Sequence, residues 1–212
     1  NLYKELEKLG IPVKEGRKVR DIYNGNMLID GTRGIVAIGE VQEMVDEGFE
    51  QVMREGPLCR EPCVRLKITL TDCKLHEDAI HRGPAQVLPA VRSAIKNAML
   101  QAGAVLYEPL QVLQIEAPSD YIGEISRLVQ NKRGQLLDMQ QEAEHMTMKA
   151  KLPVAEMFGF SNDIRSATSG RGSHFIADQL FERVPREIQE KVISKIRDRK
   201  GLKKEETEEG TE

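Results

Sequence analysis

Three cysteines and two histidines in one stretch of this sequence are residue types that could bind a zinc ion. They are Cys59, Cys63, Cys73, His76 and His81. Structural zinc sites usually use closely spaced pairs of ligands that converge on one tetrahedron. Here a predicted strand separates the first two cysteines from the other three residues, so reduced thiols in a core or loop are the simpler interpretation. No metal site is therefore predicted, and a stand-alone zinc-binding enzyme built on these residues is the alternative hypothesis.

The same stretch is crowded with side chains that could transfer protons. Asp72, His76, Glu77, Asp78 and His81 lie within ten residues, a density that general acid–base catalysis could use. A solvated loop has the same composition, however, and no serine or cysteine nucleophile stands in a recognisable elbow. The sequence also lacks the G-x-x-x-x-G-K-[ST] pattern of a phosphate-binding loop. We predict no catalytic residue in the chain, and an acid–base enzyme remains part of the alternative hypothesis.

A second candidate site is the glycine-rich segment Ser169-Gly170-Arg171-Gly172. Glycines allow a ligand to approach the backbone closely, and the arginine adds positive charge, so the segment could form a nest of N–H groups for a phosphate. An ordinary turn between a helix and a strand would use the same residues. The sequence does not decide between these two interpretations.

Composition restricts the class of protein. Hydrophobic residues make up 40% and charged residues 31% of the 212 positions, as in a globular protein. There is neither an apolar run of about 18 residues nor a signal-peptide pattern, so we expect no membrane association. The net charge of −3 equals that of residues 203–212, which contain two lysines and five glutamates, so RNA contacts must come from local patches. An odd number of cysteines favours reduced thiols and a cytoplasmic location.

In the first half of the chain, the spacing of apolar residues predicts helices and one strand. Residues 1–9 read as a helix. Residues 40–55 place apolar side chains at helical spacing, and Gly56-Pro57 ends that helix. Residues 64–70 alternate between apolar and polar side chains, which indicates a strand with one buried face.

A polar connection of residues 72–83 follows that strand and is long enough to project from the domain. The next helix begins around Pro84, because the fixed φ and missing N–H of proline suit a first helical turn. Gly103 ends it. His81 thus stands immediately before a helix N-terminus, where the backbone dipole favours a neutral imidazole and anionic neighbours.

The second half of the chain predicts a different domain. Its elements are a strand over 110–117, a helix from the N-cap Ser119 to Gly134, strands over 135–141 and 146–154, a helix over 162–169, a strand over 179–184 and a final helix from Pro185 or Arg186. The order β-α-β-β-α-β is that of the ferredoxin-like sandwich. The whole chain is therefore predicted to be an α+β protein of two domains.

Two motifs carry a resemblance to a known family. The first is Leu75-His76-Glu77-Asp78-Ala79-Ile80-His81-Arg82-Gly83-Pro84-Ala85-Gln86. It closely resembles the segment of archaeal and eukaryotic elongation factor 2 whose histidine is converted to diphthamide. The second comprises Leu152–Phe160, Asp163–Ser166 and Ser169–Gly172, which look like the last ferredoxin-like domain shared with bacterial elongation factor G. The resemblance runs from about Gly25 to Leu202, and Pro84-Ala85, where the eukaryotic proteins have glycines, looks archaeal.

The resemblance implies a division of the chain. Its parts are the C-terminal part of domain four with a ribosomal S5 domain 2-like fold (1–104), domain five with a ferredoxin-like fold (105–185), a C-terminal helix packing back on domain four (186–202) and an acidic disordered tail (203–212). It also implies site residues. These are His81 as the diphthamide site, Asp78, Arg82, Gly83 and Gln86 as tip-loop and RNA-facing residues, and Arg165, Ser169, Gly170, Arg171 and Gly172 as a ribosome-contact loop.

By the same resemblance, the intact factor would be a ribosome-stimulated GTPase that moves tRNA and mRNA from the A to the P site. GTP and magnesium would bind to a GTPase domain outside this chain, which would itself hold no cofactor. The implied partners are the small-subunit decoding centre with its tRNA–mRNA duplex, the large-subunit stalk base with the factor-binding rRNA, and the diphthamide biosynthesis enzymes. The protein is expected to be a monomer.

Overall fold

The computed structural model describes residues 2–33 and 38–202. The chain folds into two compact units. The first unit consists of Asn1–Ala104 and Glu190–Glu212, and the second consists of Val105–Gln189. The predicted disordered tail, residues 203–212, lies outside the described residues. None of the helices in the described ranges combines the length and apolar character that a membrane span requires.

The first unit packs two long helices against a small mixed sheet. Its elements are α1 (Leu2–Lys8), α2 (Val13–Gly16), β1 (Val19–Tyr23), β2 (Asn26–Asp30), α3 (Ile38–Arg54), β3 (Lys67–Leu70) and α4 (Pro84–Gln101). The strand order is β1-β2-β3, with β1 antiparallel and β3 parallel to β2. The core is formed by Leu28, Val41, Val45, Phe49, Val52, Met53, Cys63, Ile95 and Met99. The long predicted helices are thus confirmed as α3 and α4.

The β1–β2 hairpin was not among the predicted elements, although the sequence contains a signal for it. Asn24-Gly25 separates the two strands, and both residues have positive φ, at 49° and 73°. A two-residue turn of this kind matches the right-handed twist of an antiparallel pair, and Asn-Gly is its preferred sequence. The dipeptide therefore specifies the hairpin that periodicity alone did not reveal.

The predicted strand over 64–70 is shorter in the structure and begins at Lys67. Arg65 has a φ of 59°, which an extended strand cannot accommodate. The fully buried Asn26 occupies this corner, where its amide donates to the carbonyl of Cys63 (2.8 Å) and accepts from the N–H of Leu66 (3.0 Å). A single buried side chain therefore satisfies the backbone that the strand leaves unpaired.

The two helices of the first unit approach each other closely at one point. A Cβ atom on Gly48 of α3 would lie 2.7 Å from Cγ1 of Val91 on α4, so glycine is required for this contact. Arg82, just before α4, bonds to Glu40 near the start of α3, and Arg92 bonds to Gln51 near its end. The two helices therefore run in roughly the same direction.

The second unit is a four-stranded antiparallel sheet with two helices. Its elements are β4 (Tyr107–Pro118), α5 (Ile122–Asn131), β5 (Gln135–Glu142), β6 (His145–Pro153), α6 (Phe160–Ala167) and β7 (Ser173–Arg183). The strand order is β5-β6-β4-β7. The core includes Leu113, Ile115, Ile125, Val129, Met146, Met148, Leu152, Phe160 and Ile164. The predicted ferredoxin-like sandwich and the α+β class are confirmed.

Two local predictions in the second unit are wrong. The hydroxyl of Ser119 does not cap α5; it donates to the carbonyl of Ala143 (3.4 Å), and a 3₁₀ turn over Ser119–Tyr121 precedes the helix. The last strand begins at Ser173 instead of residue 179 because it pairs with β4 from Ser173 to Arg183. Pairing with a long neighbouring strand thus extends β7 beyond what its own alternation indicates.

The final helix, α7 (Arg186–Arg199), is bonded at its C-terminal end to the segment that follows α3. The guanidinium of Arg197 donates to the carbonyl of Leu58 (3.0 Å), and the ammonium of Lys200 donates to that of Arg60 (2.8 Å). Cationic side chains near a helix C-terminus also interact favourably with its dipole.

Candidate functional site

The exposed connection between β3 and α4 contains the sequence-predicted tip residues, and a short 3₁₀ turn (Ala79–His81) organises it. The carboxylate of Asp78 accepts from the N–H of Ile80 (3.1 Å), and its carbonyl accepts from the N–H of His81 (3.2 Å). This is the bonding of an N-cap residue. Asp78 therefore supports the turn that carries His81, and the side chains of Ile80 and His81 are both exposed.

Arg82 closes this loop from the inside. Its guanidinium donates to the carbonyls of His76 (2.7 Å) and Glu77 (2.9 Å) and forms an ion pair with Glu40 (2.8 Å). Only 18% of the Arg82 side chain is exposed, so its planar set of donors is directed into the protein. Of the two roles that the resemblance implied for Arg82, the geometry fits loop support, because few of its donors remain for RNA.

The two histidines of the motif lie side by side. Their ring centroids are 4.6 Å apart, and the ring planes meet at 68°. Nδ1 of His76 accepts a hydrogen bond from the N–H of Asp78 (3.0 Å), which holds the ring in place. His81 is therefore an exposed imidazole supported by a fixed aromatic neighbour.

Gly83 and Gln86 form the start of α4 directly behind the turn. Gly83 is the N-cap, and its carbonyl accepts from the N–H groups of Gln86 and Val87, both at 3.0 Å. The Gln86 side chain is exposed. The backbone dipole gives the N-terminal end of a helix partial positive charge, so this end of the site favours anionic ligands.

The cysteines are not arranged as the alternative hypothesis requires. Cys59 and Cys63 are buried, and Cys63 belongs to the core beneath α3. Burial raises the pKa of the Cys63 thiol to about 11, which disfavours the thiolate that metal binding and nucleophilic attack need. Within residues 2–33 and 38–202, no three His, Cys, Asp or Glu side chains are placed to share a metal ion. The alternative is not supported.

The glycine-rich segment of the second unit is a tightly bonded turn. The N–H groups of Gly170 and Arg171 donate to the carbonyls of Arg165 (2.7 Å) and Thr168 (3.0 Å), and that of Gly172 donates to the Thr168 hydroxyl (2.7 Å). Because these donors are used inside the loop, the backbone cannot form the phosphate nest. The turn interpretation is correct.

The side chains of that segment nevertheless face outward. Arg165, Ser169 and Arg171 are exposed. Arg171 lies over the ring of Tyr121 at 5.5 Å and donates to its hydroxyl at 3.2 Å, so the arginine is positioned without being buried.

Two structurally important residues of these sites were missed from sequence. Glu40, the ionic partner of Arg82, is 42 positions away from it, and no local pattern connects the two. Thr168 is fully buried and donates to the carbonyl of Ile164 (2.7 Å). A threonine at the last turn of a predicted helix, just before glycines, was the available signal.

Comparison with known proteins places both units in one family. Elongation factor G, domain IV, matches residues 3–103, and the elongation factor G C-terminus matches residues 105–192. The first match thus begins well before Gly25, where the resemblance had been expected to start.

Several archaeal proteins named elongation factor 2 are similar to nearly the whole chain. Those of Nanoarchaeum equitans and Methanocaldococcus jannaschii are 52% and 51% identical over 202 residues, and that of Pyrococcus furiosus is 51% identical over 199 residues. These alignments cover 94–95% of this chain but only 27–28% of each relative's length. With both units matched in order, the chain belongs to the elongation factor G and elongation factor 2 family of translation factors, of which it represents domain IV and the C-terminal domain.

Proposed function

We propose that this chain is the ribosome-binding part of a GTP-dependent translocase and that His81 is the residue converted to diphthamide. The observation that carries this proposal is the exposed 3₁₀ turn. It presents the His81 imidazole to solvent, while Asp78, Arg82 and Glu40 hold the backbone behind it. A site that must place a modified side chain against RNA benefits from such a fixed scaffold, because little conformational entropy is then lost on binding.

In the proposed function, the tip of the first unit enters the small-subunit decoding region and contacts the tRNA–mRNA duplex. A cationic group attached to His81 would meet phosphates there, and the start of α4 at Gly83 and Gln86 adds a positive end. Arg82 acts from behind by keeping the turn closed. We expect this end to contact the RNA backbone. Such contacts depend on where the phosphates lie and not on the base sequence of the RNA.

The second unit would contact the large subunit near the stalk base and the factor-binding rRNA. Arg165 and Arg171 are the exposed cations of its turn, and Arg171 is steadied by Tyr121. GTP and magnesium would be bound by a GTPase domain outside this chain. The chain spans only 27–28% of the length of the relatives that it matches. The factor would work as a cytoplasmic monomer, and diphthamide biosynthesis enzymes would act on His81.

The modification is tested by peptide mass spectrometry of the protein purified from archaeal cells. Trypsin should release Leu75–Arg82, which contains both His76 and His81, and fragment ions between the two histidines assign any added mass. We expect the whole added mass on His81, because His76 is engaged through Nδ1. Protein made in bacteria, where the modifying pathway is expected to be absent, is the matched unmodified control. An unmodified His81, or the mass on His76, would refute the assignment.

Ribosome binding is tested separately by co-sedimentation of the purified chain with archaeal ribosomes. Reversing the charge of the second-unit turn with R165E and R171E should reduce the bound fraction, because like charges repel at an RNA surface. K132E is a control within the same unit, although it also removes an ion pair with Asp163. The proposed contact would be contradicted if no protein co-sedimented with ribosomes, or if the parent chain, the R165E/R171E double variant and K132E were bound equally.

A further inference from the structure

A basic cleft lies between α3 and α4, away from the tip motif. It has a volume of about 400 Å³ and is lined by Gln51, Val52, Arg54, Glu55, Arg60, Arg92 and Lys96. Its position follows from the packing of the two helices, which touch where Gly48 meets Val91. The cleft begins one turn further along α3, at Gln51 and Val52, where long side chains of both helices line the gap.

The cleft carries a concentrated positive charge. Its lining contains four cations and one carboxylate, a net charge of +3 in a chain whose overall charge is −3. Arg92 and Lys96 are four residues apart on α4 and therefore project from the same face of that helix. The buried Val52 contributes to the lining, so part of the cleft wall is apolar and shields these charges less than open water would.

The cations of the cleft differ in how far they are already neutralised. Arg54 is paired with Glu50 at 2.6 Å and bonded to the hydroxyl of Tyr23. Arg92, by contrast, donates to the neutral Oε1 of Gln51 at 3.0 Å and has no acidic partner among the residues that the structure describes. Its position is held by an amide that leaves its charge uncompensated.

Lys96 and Arg60 complete the uncompensated set. In the described part of the chain, Lys96 has neither a hydrogen bond nor an ion pair, and the nearest carboxylate to Arg60, that of Glu55, is 3.9 Å away. An isolated surface pair at that distance contributes little. The cleft therefore offers at least three cationic groups to an external anion.

We infer that this cleft binds phosphodiester groups of an RNA backbone and forms a second RNA contact of the first unit besides its tip. A guanidinium recognises two phosphate oxygens at once, and a flexible ammonium beside it can reach a neighbouring phosphate. The inference rests on the proposed function only in assigning ribosomal RNA as the RNA that the chain meets. It explains how a chain of negative net charge approaches RNA through a local field.

The test measures fluorescence anisotropy of a labelled RNA duplex of mixed sequence with the full 212-residue chain and with an R92Q/K96Q double variant. At about 0.1 M salt, the variant should bind roughly tenfold more weakly, and the slope of log affinity against log salt should become shallower by about 1–2. K4Q/K14Q removes the same charge from exposed lysines on α1 and α2 and should change affinity by less than about twofold. Circular dichroism checks that all three proteins are folded.

Three outcomes would overturn the inference: no binding of the duplex, equal weakening by the two double variants, or a salt slope unchanged in R92Q/K96Q. Vesicles containing phosphatidylserine form a further arm, and preferential binding to them through Arg92 and Lys96 would also overturn it, because the ligand would then be a lipid headgroup. Co-sedimentation with archaeal ribosomes separates this inference from the proposed function. Ribosome binding that R92Q/K96Q leaves unchanged would refute only the cleft, whereas duplex binding without ribosome binding would refute only the proposed function.

Discussion

Arg82 and Glu40 form an ion pair with an N–O distance of 2.8 Å that connects the exposed tip turn to the first turn of α3. The same guanidinium donates to the carbonyls of His76 and Glu77, so one side chain closes the loop and fastens it to the helix. The orientation of His81 therefore depends on a residue that does not itself face outward.

Replacing Arg82 with lysine should loosen the tip while preserving its charge. An ammonium cannot reproduce the planar set of donors, so at least one backbone carbonyl loses its bond, and we expect a loss of about 1–2 kcal/mol in the unfolding free energy. Hydrogen exchange of residues 78–82, followed by mass spectrometry, should accelerate. Glu40→Gln is the control, because it removes only a half-exposed charge and should cost less than about 1 kcal/mol. Equal acceleration in both variants would show that the ion pair alone holds the turn.

Gly48→Ala should destabilise the first unit. The added Cβ would lie 2.7 Å from Cγ1 and 3.1 Å from Cβ of Val91, which forces α3 and α4 apart. Overpacking of this kind costs about 1–3 kcal/mol, more than the helix propensity that alanine adds. Gly123→Ala in α5 is the matched control: no atom lies within 4 Å of its Cβ position, so its unfolding free energy should rise by at most about 1 kcal/mol. Urea titration measures both; a stable Gly48→Ala protein would contradict the close contact.

Thr168→Val should weaken the glycine-rich turn without changing its shape. The Thr168 hydroxyl donates to Ile164 and accepts from the N–H of Gly172, both at 2.7 Å, in a fully buried position. Valine leaves the half-buried N–H of Gly172 without this partner and removes the bond to the Ile164 carbonyl, which together should cost about 1–2 kcal/mol. Thermal unfolding should show the loss, and limited proteolysis should cleave faster near residues 169–172. Thr147→Val, at a half-buried strand position, should change stability by less than about 0.5 kcal/mol; an equal loss there would exclude the hydrogen bonds as the cause.

The buried Cys63 thiol should make the fold less stable at alkaline pH. Burial raises its pKa from the ordinary value of 9.0 to about 11, so between these values the unfolded chain releases a proton that the folded chain retains. The free energy of unfolding therefore falls as pH rises from about 9 to 11, by at most about 1.4 kcal/mol per pH unit for this group. Urea titrations at about pH 8 and about pH 10.5 measure the fall.

The Cys63→Ala variant isolates that contribution. Its stability should decrease less between the two pH values than that of the parent chain, because the titrating group has been removed. The pKa values of Cys59 and Cys73 are also raised, chiefly by burial, and these thiols remain as a common background. Identical pH dependence in variant and parent would show that Cys63 does not contribute.

The sequence alone determined features whose causes lie within a few residues. Pro84 predicts the start of α4, and Gly103, with a φ of 78°, predicts its end, because backbone conformation at these positions is a local property. Alternation along β6 likewise predicts one buried face, and Met146, Met148 and Leu152 are indeed buried there. The motif around His81 and the order of elements in the second unit are equally local.

Only the tertiary structure decided which distant side chains meet. Arg82 finds Glu40 across 42 positions, the buried Asn26 bonds to Cys63 across 37, and Arg92 bonds to Gln51 across 41. No periodicity encodes these pairs, because they arise when separate helices and strands pack and their polar groups must be satisfied at the contact. The side chains of the tip therefore come from one continuous motif. The rigidity of that tip and the basic cleft between α3 and α4 depend on the fold.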